Sequence, residues 1–190
     1  MREVIKLGLF LLSVCVLVGF STSYVNELTK PIILEKERVT QEEGLKEVFV
    51  NADEIKDETE KYLESTENSV IKQVNVALKE GKQLGAIYLV EPRGYSSNLK
   101  ILVGFDIANR EITNIKVLSQ AETPGLGAQV EEAWFAERFK GKSAKEDLEI
   151  VKNPAKEDNE IEAITASTIT SKAVAHGVNE ARKHFEENFK

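Results

Sequence analysis

Hydroxyl side chains crowd one short stretch near the C-terminal end: Thr165, Ser167, Thr168, Thr170 and Ser171, within Glu160 to Ser171. Directly after them Val174, Val178, Ala181, Phe185 and Phe189 recur at steps of three or four, which makes one apolar helix face. Hydroxyls placed ahead of a helix are natural N-caps, because they accept hydrogen bonds from the orphan N–H groups of its first turn. The same helix start is also an anion site, since its free N–H groups and the positive dipole end steady a phosphate. The pattern of residues supports both chemistries and does not choose between them.

A second stretch that could do chemistry is Ser119 to Gly127. Pro124-Gly125 is a type II turn signal, and Gly127 relieves sterics before a helix expected to start near Ala128. The remaining reactive side chains are sparse. His176 and His184 lie eight apart without a cysteine or HExxH companion, so no metal site is expected. Cys15 is the one cysteine, which excludes an intramolecular disulfide and makes a thiolate metal site unexpected. No Ser-His-Asp arrangement, P-loop or dinucleotide glycine fingerprint is visible. Val130, Ala133, Trp134 and Phe139 mark an amphipathic helix with Trp134 expected in the core, and acidic pairs such as Glu157-Asp158 read as solvated faces.

Around these stretches, the elements that must position them fall into three zones: 1–25 an anchor, 26–68 a helical linker region and 69–190 the main domain. From Leu7 to Tyr24 there is no charged residue. That run is near the lower limit of the about 20 residues a bilayer span needs, and Val4 and Ile5 lengthen it. Arg2 and Lys6 precede it, so the positive-inside rule puts the N-terminus in the cytoplasm and the remainder outside the cell membrane. A cleaved signal peptide is the competing reading, with Ser21 and Ser23 in a small-x-small spacing. The length of the apolar run favours a retained anchor. A lipoprotein reading of Cys15 is disfavoured, because Val14 is not small and apolar residues continue to Phe20. The chain carries a net charge of −7. Its N-terminal flank is positive, so the outer part is more acidic still, which disfavours nucleic acid and anionic lipid as partners.

In the linker region Thr40 with Glu43 forms a capping box for a helix through Val50, and Pro31 is expected to separate that helix from the span. Asp53 to Asn68 reads as an exposed helix or loop. The middle of the chain is β-rich. Val70–Leu78 and Leu84–Val90 flank Glu80-Gly81-Lys82 as one hairpin, and Leu99–Ile107 and Ile112–Leu118 flank Ala108-Asn109-Arg110 as another. In the last of these strands neither parity is cleanly polar, so it is expected to be covered on both sides. Pro92 to Tyr95 is a turn. An α+β domain, an antiparallel-rich sheet packed by helices on one face, is the simplest assembly.

Glu162-Ala-Ile-Thr-Ala-Ser-Thr168 resembles the flavinylation motif D-x-x-(S/T)-G-A-T of the RnfG/NqrC FMN-binding family, whose last threonine carries FMN through a phosphoester. Glu162 stands for the Asp, Ala166 for the Gly and Ser167 for the Ala, with Thr168 at the acceptor position. Glu122-Thr-Pro-Gly-Leu-Gly127 matches a recurring signature of the same family residue for residue. Gly94-Tyr95 ahead of Leu102 to Asp106, and Ile169 to Val174, resemble it as well. The resemblance implies a single membrane anchor followed by an FMN-binding domain, with FMN covalently held by Thr168 and attached by a flavin transferase. It further implies that Glu122, Thr123, Leu126 and Gly127 line the ring and that Thr170 and Lys172 flank the phosphate. Gly94, Tyr95 and Thr165 complete the cofactor-binding set, and no catalytic residue or metal ligand is implied.

The function so implied is that of an electron carrier like the G subunit of Rnf-type complexes, which pass electrons between ferredoxin and NAD and couple this to pumping Na⁺ or H⁺. Its partners would be membrane-embedded flavin and iron-sulfur subunits, and it would neither bind NAD nor move the ion itself. The alternatives are the C subunit of the Na⁺-pumping NADH:quinone reductase, or an extracytoplasmic FMN protein working alone. A membrane-anchored interaction domain, in which Thr168 is only a helix cap, is the plainest rival.

Overall fold

The period-two apolar pattern between residues 71 and 119 forms four long antiparallel strands in the structure, a computed structural model that describes residues 1–63, 69–152 and 154–189. β2 (Ile71–Lys79) and β3 (Lys82–Val90) are joined by a two-residue turn in which Glu80 and Gly81 both have positive φ, 50° and 75°. That is the turn geometry whose twist matches paired strands. β4 (Lys100–Asp106) and β5 (Glu111–Ser119) form the second hairpin. A short strand before them, β1 (Glu54–Asp57), completes a five-stranded antiparallel sheet in sequential order. This strand corrects the expectation of an exposed helix or loop from Asp53; residues 64–68 of that stretch lie outside the described residues. A single helical turn, α2 (Thr59–Tyr62), follows β1.

Successive residues of each strand point to opposite faces, and both faces are apolar. Ala86, Tyr88, Val90, Ile101, Val103 and Phe105 build the larger core on one side. Ala77, Ile87 and Leu102 build a smaller one on the other, closed by Val48 and Phe49. Cover on two faces replaces the expected cover on one. The mixed parity of β5 also has a local cause. Asn114 pairs with Gly104 and Ile112 with Phe105, so Thr113 is an extra residue that bulges the strand and turns Ile112 to the same face as Ile115 and Val117. The bulged Thr113 donates its hydroxyl to the Val48 carbonyl at 2.9 Å.

The apolar N-terminal run opens α1 (Arg2–Val48), one continuous helix with Pro31 inside it. A helix break at Pro31 and an N-cap at Thr40 were expected, and neither is found. Proline removes one backbone bond at a cost of about 3 kcal/mol, which long runs of helix-forming residues on both sides can absorb. By length and composition α1 is apolar enough to cross a membrane. The chain divides into two compact units, Met1–Gln41 and Glu42–Lys190.

Beyond β5 comes a 3₁₀ turn (Gly127–Glu131) and the brief α3 (Ala133–Ala136), where a longer amphipathic helix was expected. With so few helical residues, Phe135 and Phe139 take the core. Trp134 is 40% exposed under the Arg138 guanidinium, not in the core as expected. A parallel pair, β6 (Glu149–Val151) and β7 (Glu160–Glu162), leads into α4 (Thr168–Asn188). Helix α4 buries Val174, Val178, Ala181 and Phe185 against the larger core, with Phe185 stacked on Phe105 at a centroid distance of 4.9 Å. Asn179 pins its flank by bonding both the N–H and the carbonyl of Leu148.

Candidate functional site

Three chain segments meet where α4 begins: the turn after β3, the turn after β5 and the loop leaving β7. The first is closed by Gly94 N–H donating to the Ser97 carbonyl at 2.8 Å and Leu99 N–H to that of Pro92 at 3.0 Å. In the second, Gly125 takes a φ of 76°, and the Thr123 carbonyl accepts from Leu126 and Ala128. The third holds Ala166 at a φ of 61°, in the left-handed region, before Ser167 at the N-cap position of the helix. Between them lies a cavity of about 550 Å³, a size ordinary for cofactor sites.

The structure brings most of the residues singled out in the sequence to this cavity. Glu122, Thr123, Leu126 and Gly127 line one side, Tyr95 a second, and Thr168 and Thr170 a third. Gly94 is buried behind Glu122, while Thr165 and Lys172 are exposed and do not line the cavity. Ala166, Ser167 and Ile169 also line it; the resemblance placed them in or directly after the flavinylation motif but gave them no contact role. Ser96, which sequence reasoning passed over, gives its backbone N–H to Glu122 Oε1 at 3.0 Å. No sequence signal could have found that contact, because it depends on how two distant turns meet.

The hydroxyls have separable roles. Ser171, fully buried, accepts from Ile164 N–H and donates to the Ser167 carbonyl, both at 3.0 Å, and so knits the loop to the helix. Thr170, 2% exposed, donates to Glu122 Oε2 at 2.9 Å. Ser167 occupies the N-cap position, yet no side-chain cap bond forms there. Thr168 is the first residue of α4, half-buried at the cavity wall, and its hydroxyl has no partner among the described residues. Capping therefore does not account for the cluster.

The first amides of α4 lack a side-chain partner and lie beside a free hydroxyl, at the end of a helix that runs to Asn188. Such a start favours a phosphate through its N–H groups and dipole. The apolar flanks Tyr95, Leu126 and Ile169, each more than two-fifths exposed, offer surface to a planar ring at the mouth. These features fit a flavin mononucleotide: a phosphate at the helix start and a ring against the turns. Glu162 is outside the cavity, its carboxylate 3.9 Å from Arg138. Its exchange for the shorter acid of the motif leaves the lining unchanged. Among the described residues no cluster of His, Cys, Asp or Glu could hold a metal. His184 instead bonds the Tyr88 hydroxyl through Nδ1 and the Tyr62 carbonyl through Nε2.

Residues 94–183 match the FMN-binding domain family. The chain is 35% identical over 187 residues to the G subunit of the Na⁺-translocating ferredoxin:NAD⁺ oxidoreductase complex of Acetobacterium woodii, covering 94% of this chain and 89% of that one. It is 30% identical over 167 residues to the G subunit of the proton-translocating ferredoxin:NAD⁺ oxidoreductase complex of Clostridium ljungdahlii, covering 88% and 83%. Among solved structures, NqrC of Shewanella oneidensis superposes with a TM-score of 0.56 at 19% identity, over 75% of this chain and 71% of that one. The C subunit of the Na⁺-translocating NADH-quinone reductase of Parabacteroides distasonis gives 0.56 at 22%, over 72% and 77%. At such identities the likeness to these two structures is one of fold.

Proposed function

The chain belongs to the family of FMN-binding G subunits of ion-translocating oxidoreductase complexes, and from that premise we propose that it relays electrons through an FMN esterified to Thr168. It is a membrane-anchored flavoprotein subunit of such a complex, with the apolar first part of α1 as its anchor. Near-full-length similarity to G subunits, against fold-level similarity to the quinone-reductase C subunits, favours an Rnf-type assembly. Its neighbours there would include membrane-embedded flavin and iron-sulfur subunits.

The observation that carries the reading is the free Thr168 hydroxyl at an uncapped helix start, on the wall of a cavity that both sequence motifs line. A flavin transferase would supply the catalysis: the Thr168 Oγ–P bond would form as a phosphoanhydride P–O bond of the flavin donor breaks, the hydroxyl proton leaving with the released phosphate-bearing group. The N–H groups of the first turn of α4 would hold the ester phosphate. Thr123, Leu126 and Gly127, with Tyr95 across the cavity, would set the ring's surroundings, while Lys172 and Thr165 stay exposed outside the cavity. Bound there, FMN supplies electron-carrying capacity at a potential set by these neighbours.

Arg2 and Lys6 keep the N-terminus in the cytoplasm, so the flavin-bearing part lies on the outer side of the membrane. A covalent tether suits that place, where a dissociated cofactor would not be recaptured. Residues 1–25 are the anchor and 69–190 bear the flavin, with 26–68 connecting them and lending β1 to the sheet.

The test is flavin fluorescence in a denaturing gel of the full chain, made with a flavin transferase, beside Thr168→Val. A fluorescent wild-type band and a dark variant are expected. A dark wild-type band, or a variant as bright as wild type, overturns the assignment.

A further inference from the structure

We infer that Glu122 is a positioning residue: its carboxylate is a clasp that fixes the first turn of α4, and Thr168 with it, against the two turns across the cavity. The inference rests on the reading of Thr168 as flavin acceptor. Each oxygen of this buried side chain serves a different segment. Oε1 accepts from Ser96 N–H at 3.0 Å, and Oε2 accepts from the Thr170 hydroxyl at 2.9 Å. One side chain thus joins three segments of the chain that sequence separates by tens of residues.

The two glycines nearest it leave it room. A Cβ at Gly94 would stand 2.6 Å from Oε1, and one at Gly127 would stand 2.7 Å from Oε2 and 2.9 Å from Thr170 Oγ1. These distances are far inside van der Waals contact, so a larger residue at Gly127 pushes the carboxylate out of its seat, and one at Gly94 meets the Ser97 carbonyl oxygen at 2.8 Å as well. Gly127 is therefore explained by the clasp, without appeal to the flavin ring, while Gly125 of the same motif serves its φ of 76°. On a helix of 3.6 residues per turn, fixing the direction of Thr170 also fixes that of Thr168 two positions earlier. With its hydroxyl engaged inward, Thr170 leaves Thr168 turned to the cavity with its own hydroxyl free.

The hydrogen-bond inventory separates a clasp from a charge effect. The amide of a Glu122→Gln variant keeps one oxygen to accept from Ser96 N–H, and its NH₂ can donate to the Thr170 hydroxyl oxygen. Glu122→Ala loses both contacts, and Thr170→Val loses one without changing shape. Labelling of the full chain in detergent, with flavin adenine dinucleotide and purified flavin transferase, is followed by in-gel fluorescence against time. We expect Glu122→Gln to label within about twofold of wild type, and Glu122→Ala about tenfold or more slowly, the loss expected of hydrogen bonds to a charged group. Thr170→Val falls between them. The loss lies in the maximal rate, with the concentration of flavin donor at half-maximal rate unchanged, and circular dichroism confirms that Thr170→Val is folded. Equal rates for wild type, Thr170→Val and Glu122→Ala overturn the clasp. A Glu122→Gln rate as low as that of Glu122→Ala also overturns it, in favour of charge. An unlabelled wild type overturns instead the acceptor reading beneath it.

Discussion

Ala166 holds a φ of 61° at the position where the flavinylation motif has glycine, and replacing it by glycine is expected to stabilise the folded chain. An L-residue in the left-handed region carries a penalty of about 1–2 kcal/mol, because its Cβ crowds the following carbonyl oxygen. Glycine removes that penalty but returns roughly 0.5–1 kcal/mol to the unfolded chain through its greater backbone freedom. Ala166 is exposed, so no packed side chain is lost in the exchange. The midpoints of those ranges leave a gain of about 0.75 kcal/mol, which for a domain of this size raises Tm by roughly 1.5–3 °C. Thermal unfolding of the full chain in detergent, followed by near-ultraviolet circular dichroism, measures it. Ala166→Val is the opposing control, since a β-branched side chain at positive φ is more strained than alanine and should lower Tm. A Tm that does not rise with glycine, together with a valine variant as stable as wild type, would refute left-handed strain at this turn.

Four further outcomes follow from named contacts. Burial drives the Tyr88 phenol far above its ordinary pKa of 10.0, so the folded chain keeps a proton that the unfolded chain releases above about pH 10. Stability from this source is intact below that pH and lost as pH rises past it; Tyr88→Phe should flatten the alkaline decline in a Tm-against-pH series. Phe185→Ala removes a ring stacked in the main core and should cost about 3–5 kcal/mol, read as a lowered thermal midpoint. Gly127→Ala places a Cβ 2.7 Å from Glu122 Oε2 and should cost about 1–3 kcal/mol while slowing flavin labelling, both read on one preparation. Val50→Cys, made with Cys15→Ser, puts a thiol at an exposed site. A membrane-impermeant maleimide should label it in spheroplasts, and labelling only after lysis would reverse the membrane orientation.

Local rules made much of this protein legible from its residues alone. Alternation and turn residues placed both hairpins, and the three-to-four spacing of Val174, Val178, Ala181 and Phe185 marked the face that α4 buries. The motifs named the segments that meet at the cavity, because a turn and a helix start are each specified within a few residues. What the residues could not declare is long-range. Glu54–Asp57 becomes a strand only because β2 offers an unpaired edge, and Thr113 bulges only because Ile112 gains burial beside Ile115. The short helix after Gly127 and the outward turn of Trp134 reflect tertiary packing that overrides a weak helical pattern. The division of labour among the hydroxyls depends on Glu122, which lies 48 residues before Thr170 and meets it only in the folded chain. Sequence determined which side chains are present at the helix start, since that is set by covalent neighbours. Tertiary structure decided which of their hydroxyls are bonded and which stand free, since each bond needs a partner that only folding brings within about 3 Å.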